Sequence, residues 1–303
     1  MEQALCTISS NVEVMPGVHL MWIGAPNIAS SVQPGQFVTV RCGDFTLRRP
    51  FSVHQTGPAC QPLAGRGGNL IASPDAIGTK QCQIALLFKV TGKGTRWLSQ
   101  RQTGEAIDIL GPSGQGFSIP PAEVGQSKHL LLVAGGIGIA PLFFLMQHIL
   151  RLCSGQALSQ YRVTLIQGAS TAAQLYTEHR QPTANSYQGV QFVPVSEDGS
   201  MGRKGMVTDV MPDFLEWADK VYACGPADMY KAMAEMSLPA LGAAEGERSI
   251  KLRECQVSLE VRMGCGFGVC YGCTIRTRKG LKRVCRDGPV FELDDIMWQE
   301  VRI

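Results

Sequence analysis

The sequence predicts an α+β chain of several domains. An N-terminal antiparallel β-barrel is expected over residues 1–122, a doubly wound α/β domain over 123–248, and a small C-terminal cysteine module over 249–303. Three observations predict it. Short apolar runs separated by Gly, Pro and Asn turns fill the first third. Apolar strands then alternate with helix-patterned runs. Finally, four cysteines crowd into the glycine-rich stretch "RMGCGFGVCYGCTIRTRKGLKRVCRDGPVF".

The barrel rests on the runs "GVHLMWIGA", "GQFVTVRCG", "RPFSVHQ", "IALLFKVTG" and "EAIDILGP", which have the length and turn punctuation of strands in a small antiparallel barrel. Between Gln55 and Gln81 the rhythm breaks into Pro, Gly and Ala, which reads as a surface insertion with no chemistry assigned to it.

The α/β domain rests on "HLLLVAGG", "RVTLIQGAS", "VQFVPVSED" and "DKVYACGP" as strands, with "APLFFLMQHILRL" and "ADMYKAMAEM" as helices. One run within it, "HLLLVAGGIGIAPLFFLMQHIL", approaches the roughly 20 apolar residues a membrane span needs. Gly135, Gly136, Gly138 and Pro141 sit at its centre and would interrupt such a helix, so a strand, a glycine turn and a helix are expected instead.

Composition bounds the function. The chain of 303 residues is globular, with 45% hydrophobic and 17% charged residues and a net charge of +3, too small to argue for nucleic acid. The start, "MEQALCTISSNVEVMPG", lacks the basic region and apolar core of a secretory signal. Without one, the eleven cysteines imply reduced thiols or metal ligands rather than a disulfide framework. A cytoplasmic protein that engages neither membrane nor nucleic acid is expected. The five histidines are scattered, and no Ser-His-Asp set or pair of catalytic acids stands out, so bound cofactors must carry the chemistry.

The cysteines are the strongest signal. Cys265, Cys270, Cys273 and Cys285 are spaced C-x4-C-x2-C-x11-C, the plant-type arrangement for a [2Fe–2S] cluster. Cys270 and Cys273, three residues apart, can reach one metal centre from a single turn, with Cys265 closing around a second iron. Gly264, Gly266, Gly268 and Gly272 free backbone N–H groups to point at sulfur. Structural zinc also accepts four thiolates, but zinc ribbons favour two C-x2-C knuckles and the second is missing here. Unligated thiols are the remaining alternative. Arg276, Arg278, Lys279, Lys282, Arg283 and Arg286 follow Cys273 with no acid among them. They are either a solvated hairpin face or a positive surface that offsets cluster charge and meets a partner; in the second case charge reversal at Lys282 and Arg283 weakens association.

Two further motifs suit nucleotides. In "RRPFS", Arg49 can hold a diphosphate, Pro50 and Phe51 can pack on a ring system, and Ser52 can hydrogen-bond a ring nitrogen. "FKVTGKGTRWLS" adds Gly92, Gly94 and Thr95, whose N–H groups suit a phosphate nest, and "GPSGQGF" marks the barrel exit. In the α/β domain, Gly135, Gly136 and Gly138 lie between a strand and a helix, where a pyrophosphate can approach the positive helix end. Their spacing differs from G-x-G-x-x-G, but "YACGP" with Cys224, Gly225 and Pro226 follows a later strand and resembles ferredoxin-reductase-like nicotinamide sites, which implies a Rossmann-like nucleotide domain. Cys224 is either a neighbour of nicotinamide and flavin rings or a small buried thiol, and is not read as a nucleophile. Glu197 or Asp198 could accept from a ribose and disfavour a phosphorylated one, whereas Arg203 and Lys204 argue the other way.

The order R-P-F-S, K-V-x-G-x-G-T-x-x-L, G-P-x-G-x-G-F resembles the FAD barrel of the ferredoxin reductase superfamily. With "SLEVRMGCGFGVCYGC" and "RVCRDGPVF" added, nearly the whole chain resembles the electron-transfer subunit of heteromeric, NAD-linked dihydroorotate dehydrogenase, apart from the insertion. The resemblance implies FAD contacts at Arg49, Pro50, Phe51 and Ser52, at Phe88, Lys89 and Val90, and at Gly94 and Thr95. It implies cluster ligation by Cys265, Cys270, Cys273 and Cys285, and a preference for NAD. It also implies a partner: an FMN-containing catalytic subunit that oxidises dihydroorotate to orotate in pyrimidine biosynthesis, in a heterotetramer. One departure is Gly264, where the family more often has Ala. The flavin subunits of hydrogenases and anaerobic sulfite reductases are the alternative, sharing "CGxGxC" and a "CxDGPVF"-like ending but usually carrying "CGHC" where this chain has "CYGC". A zinc-stabilised nucleotide-binding module is the non-redox alternative.

Overall fold

The computed structural model describes residues 1–57, 82–121, 127–153, 160–177, 187, 189–236 and 254–301. The expected insertion therefore lies outside the described residues, except for Gln55 and Thr56, which finish a barrel strand, and Gly57 after them.

Six strands close the barrel: β1 (Glu2–Met15), β2 (Val18–Gly24), β3 (Phe37–Val40), β4 (Arg49–Thr56), β5 (Gln83–Lys89) and β6 (Ala106–Ser113). They pair antiparallel in the order β1-β2-β5-β4-β3-β6 before the ring closes on β1. Five of these match the expected runs. The sixth, β1, was not expected as a strand: in its 14 residues only Cys6 and Ile8 are buried, so its apolar alternation is short and weak. The inward positions, among them Ile8, Met21, Ile23, Val38, Val40, Val53, Ile84, Leu86, Ile107 and Ile109, form one apolar core. Helix α1 (Pro26–Ser31) packs Ile28 and Ala29 onto it, and α2 (Lys93–Ser99) packs Leu98.

The second sheet has seven strands, β7 (Lys128–Gly135), β8 (Tyr161–Ala169), β9 (Val190–Ser196), β10 (Arg203–Lys204), β11 (Lys220–Cys224), β12 (Cys255–Ser258) and, further along, β15 (Val290–Glu292). Its order is β10-β9-β8-β7-β11-β12-β15, parallel except where β15 returns antiparallel to β12. Side chains of β7 alternate between its faces: Leu130, Leu132 and Ala134 meet α3 (Ile139–Cys153), while Leu131 and Val133 meet the side covered by α4 (Val207–Val210), α5 (Pro212–Leu215) and α6 (Ala227–Met236). That two-sided burial is why β7 reads as a continuous apolar run.

Helix α3 resolves the membrane question physically. Leu142, Phe143, Leu145, Met146 and Ile149 bury against the sheet, and Phe144 enters the barrel core from the same helix. A helix apolar on nearly all sides is expected where two layers enclose it. No helix among the described residues is long and apolar enough to cross a membrane.

Residues 254–301 do not stand apart from this sheet. β12 and β15 are its last two strands, and the chain between them makes the cysteine loop, the hairpin β13 (Thr274–Thr277) and β14 (Gly280–Arg283), and the short helix α7 (Val284–Asp287).

Candidate functional site

Two clefts open where the barrel meets the α/β sheet. The first, of about 410 Å³, is lined from the barrel side by Arg49, Pro50, Phe51 and Ser52 at the start of β4 and by Phe88 and Lys89 at the end of β5. Antiparallel pairing sets Phe37 opposite Ser52 and brings β4 beside β5. Phe51 and Phe88 pack with ring centroids 5.5 Å apart, giving the cleft an aromatic floor. Arg49 lies over the Phe45 ring at 5.9 Å and donates to the Leu47 carbonyl at 2.6 Å, which leaves its guanidinium without an acidic partner among the described residues.

The expected phosphate nest is partly engaged. Thr95 Oγ1 accepts the N–H groups of Thr91 (2.9 Å) and Gly92 (3.1 Å), so Gly92 does not offer the free donor that the sequence suggested. Thr91 and Thr95 still line the cleft. Gly94 is buried against Arg49: a Cβ there would stand 3.0 Å from Nε. Val90 turns its side chain to the barrel core and donates its N–H to Gly17.

The second cleft, of about 740 Å³, is lined by Gly135, Gly136 and Gly138 ahead of α3, by Gly225 and Pro226 after β11, and by Ser170 and Glu197 at the carboxyl ends of β8 and β9. This is the edge at which open α/β sheets take ligands. Gly138 is pressed on the Cys224 backbone, and Gly136 has φ +54°. Ser170 donates to Glu197 at 2.9 Å, so that carboxylate is held at the cleft wall. Asp198 is engaged with Ser200 instead, and Arg203 forms a short ion pair with Asp213. Neither they nor Lys204 line the cleft.

Cys224 lines neither cleft. It is buried behind the wall, its Sγ 3.5 Å from the Ser258 carbonyl, and burial followed by the Glu260 charge pushes its thiol up. Tyr230 donates to the same carbonyl at 2.6 Å and accepts the Gly225 N–H at 2.8 Å, which ties the turn after β11 to the end of β12.

Lys89, Ile137 and Glu260 line both clefts. The strip Leu259, Glu260, Val261, Arg262 and Met263, which sequence reasoning missed as a wall, closes the first cleft and runs straight into Cys265. Its only signal was the phrase "SLEVRM" beside the cysteines.

The Cys265 thiol lies beside that of Cys270, and the Cys285 thiol beside that of Cys273. Backbone N–H groups aim at sulfur: Phe267 at Cys265, Cys265 and Gly272 at Cys270, and Cys285 at Cys273, each at 3.4 Å. Burial opposes ionisation of Cys265, but the N–H groups of Phe267, Cys270 and Val269 together hold its thiol down to about 6. Burial, reinforced by Cys273, pushes Cys285 up to about 12. Cys270 is exposed, while Cys273 and Cys285 are buried. Among the described residues no three Cys, His, Asp or Glu side chains converge on a single ion. The donor set, four cysteine thiols in a field of N–H dipoles, fits a two-iron cluster.

Against this geometry the comparisons with known proteins are decisive. Residues 260–297 match the iron–sulfur cluster binding domain of dihydroorotate dehydrogenase B, and residues 132–235 match the oxidoreductase NAD-binding domain. The dihydroorotate dehydrogenase B (NAD(+)) electron transfer subunit of Desulforamulus reducens is 34% identical over 295 residues, 94% of this chain and 95% of that one. The chain belongs to this family. The subunit of the same name from Caldanaerobacter subterraneus subsp. tengcongensis is 34% identical over 271 residues, 88% of this chain and 87% of that one. Among solved structures, that of an NADH-dependent reduced ferredoxin-NADP oxidoreductase superposes with a TM-score of 0.71 at 26% identity, covering 98% of this chain and 91% of that one. A ferredoxin NADP+ reductase from Neisseria gonorrhoeae shares the fold, with a TM-score of 0.59 at 17% identity over 86% of this chain and all of that one.

Two details of this family member become legible on the structure. A Cβ built on Gly264 would stand 3.1 Å from Cys270 Sγ. Tyr271 sits at φ +58°, a conformation glycine adopts freely, and the Arg283 guanidinium covers its ring at 5.1 Å. The basic run is less free than its local sequence implied, because acids arrive from later in the chain. Arg276 pairs with Glu300 at 3.2 Å, Lys279 with Asp295 at 2.7 Å, and Arg283 with Asp287 at 3.5 Å. Arg283 also donates to the Gly268 carbonyl at 2.8 Å and so braces the cysteine loop. Around the loop, Phe267, Val269, Tyr271 and Leu281 are exposed.

Proposed function

We propose that this chain is the electron-transfer subunit of an NAD-linked dihydroorotate dehydrogenase. On this reading it holds FAD in the first cleft, NAD(H) in the second and a [2Fe–2S] cluster at Cys265, Cys270, Cys273 and Cys285. It works with an FMN-containing catalytic subunit in a heterotetramer. The observation that carries the reading is the shared wall: Lys89, Ile137 and Glu260 border both clefts, and the strip that closes the first leads within two residues to Cys265.

Nicotinamide exchanges electrons in pairs, an iron–sulfur cluster singly and a flavin in either way, so the three groups together convert one currency to the other. The residues position them. Arg49, without an acidic partner among the described residues, is the cation for a diphosphate, Phe51 and Phe88 are the apolar floor for a ring system, and Ser52 supplies a hydroxyl at its edge. The glycine turn at the start of α3 lets a dinucleotide pyrophosphate approach the positive helix end. Glu197, held by Ser170, suits an unphosphorylated ribose. N–H groups directed at the sulfurs of Cys265, Cys270 and Cys273 stabilise thiolates. The exposed apolar side chains beside the cysteines suit the catalytic subunit's surface.

Anaerobic purification of the single chain, followed by flavin and iron analysis, tests the reading. The expected protein is brown-yellow, oxidises NADH with ferricyanide, and turns over dihydroorotate only when the FMN subunit is added. Colourless protein, or dihydroorotate turnover by the chain alone, overturns it. Lys282→Glu is the better probe of association than Arg283→Glu, since Arg283 braces the cysteine loop. The hydrogenase and sulfite reductase readings lose ground to the relatives' names.

A further inference from the structure

Glu260 carries an inference beyond this assignment, one that rests on reading the two clefts as flavin and nicotinamide sites. It follows Leu259 just past the end of β12, where the wall from the cysteine side reaches both clefts. Its side chain is exposed at the cleft wall, and desolvation by the surrounding protein raises its carboxyl above the usual range. No hydrogen bond or ion pair engages it among the described residues, and the nearby Lys89 has no acidic partner there either. Behind it stand Cys224 and Tyr230, both held neutral by burial, which feel its charge. An exposed carboxylate at a cleft wall, with no donor among the described residues, is open to a ligand that brings positive charge. Two kinds of ring meet at this junction, and only one state of them is cationic: the pyridinium of NAD+.

We propose that Glu260 is a specificity-determining residue for the oxidation state of the dinucleotide: its carboxylate faces the nicotinamide end where the two clefts join and favours the cationic NAD+ ring over the neutral reduced ring. The consequence is a bias in product and substrate retention that no residue of the adenine or pyrophosphate end could produce. A neighbouring unit charge in a partly desolvated site changes such a preference by about tenfold.

The test uses the full chain with its FAD and cluster, and calorimetric titration with three ligands. These are NAD+, its tetrahydro analogue (a neutral ring that cannot donate hydride) and ADP-ribose, which has no nicotinamide. Glu260→Gln is expected to weaken NAD+ by about tenfold while changing the tetrahydro analogue and ADP-ribose less than about threefold. Glu260→Asp, which keeps the charge, is expected to retain the preference for NAD+. An unchanged ratio of NAD+ to analogue affinity in Glu260→Gln, with ADP-ribose still bound, overturns the proposal and leaves the cleft assignment standing. Equal weakening of all three ligands also overturns it, since that is a structural effect. Failure of the native chain to bind ADP-ribose or either dinucleotide overturns the cleft assignment, and this proposal with it.

Discussion

Gly138 lies against the backbone of Cys224, so closely that a methyl group at residue 138 would overlap the Cys224 carbonyl and the Gly225 nitrogen. This contact seats the start of α3 on the end of β11 and shapes the floor of the second cleft. Gly138→Ala must push the two apart, at a cost of about 1–3 kcal/mol for overpacking. The expected outcome is a lower urea midpoint and dinucleotide affinity reduced at least about tenfold, a loss of about 1.4 kcal/mol. Calorimetry on the flavin-loaded chain reads the second effect separately from the first.

Serine substitutions at the cysteines separate ligation from packing. Cys270→Ser and Cys285→Ser are both expected to bring iron to background and abolish the signal of the reduced cluster in electron paramagnetic resonance, with bound flavin retained. Cys270 is exposed and Cys285 buried. Only Cys285→Ser should therefore lower the stability of the iron-free protein, by about 1–2 kcal/mol for a hydroxyl placed in an apolar site. Iron retained by either variant counts against ligation at that position.

Cofactor preference is expected to depend on Glu197. Its carboxylate, accepting from Ser170, borders the second cleft, whereas Arg203 is committed to Asp213. Glu197→Ala should raise KM for NADH by about tenfold, as expected for losing a hydrogen bond to a charged group. It should leave kcat nearly unchanged and narrow the gap to NADPH. Steady-state assays with both nucleotides and ferricyanide check this.

His54 makes stability depend on pH. It is fully buried between β4 and α3, donating from Nδ1 to the Ala140 carbonyl at 3.0 Å and accepting the Tyr176 hydroxyl at Nε2, also at 3.0 Å. Burial lowers it to about 4, against the backbone hydrogen bond that works the other way. The unfolded chain therefore binds more protons between about pH 6.5 and 4, and native stability falls as pH drops through that window. From pH 7 to 5 this one group should remove about 2 kcal/mol. His54→Gln should flatten that part of the curve, measured by chemical denaturation at both pH values.

What the sequence could disclose follows from the range of each interaction. The five barrel runs and the strand–turn–helix at residues 129–150 were legible because their patterning is local. The cysteine spacing was legible for the same reason. β1 was not, since its inward side holds few large apolar residues and its pairing partners lie as far away as β6. The approach of Cys285 to Cys273 was not legible either, because it is made through the hairpin's return. Glu260 and the strip around it escaped notice because the cleft wall exists only once β12 joins the sheet.

That last junction has a consequence for how the chain can be divided or rebuilt. Because β12 leaves the sheet toward the cysteines and β15 comes back to the same edge, the metal-bearing excursion is stitched at both ends into the layer that carries the glycine turn. It cannot be trimmed off as a tail without stripping two strands and baring the flank of β11. Damage to the thiol loop is thus felt as fraying of the dinucleotide layer, and a graft of the loop onto another reductase must bring that pair of strands along with it.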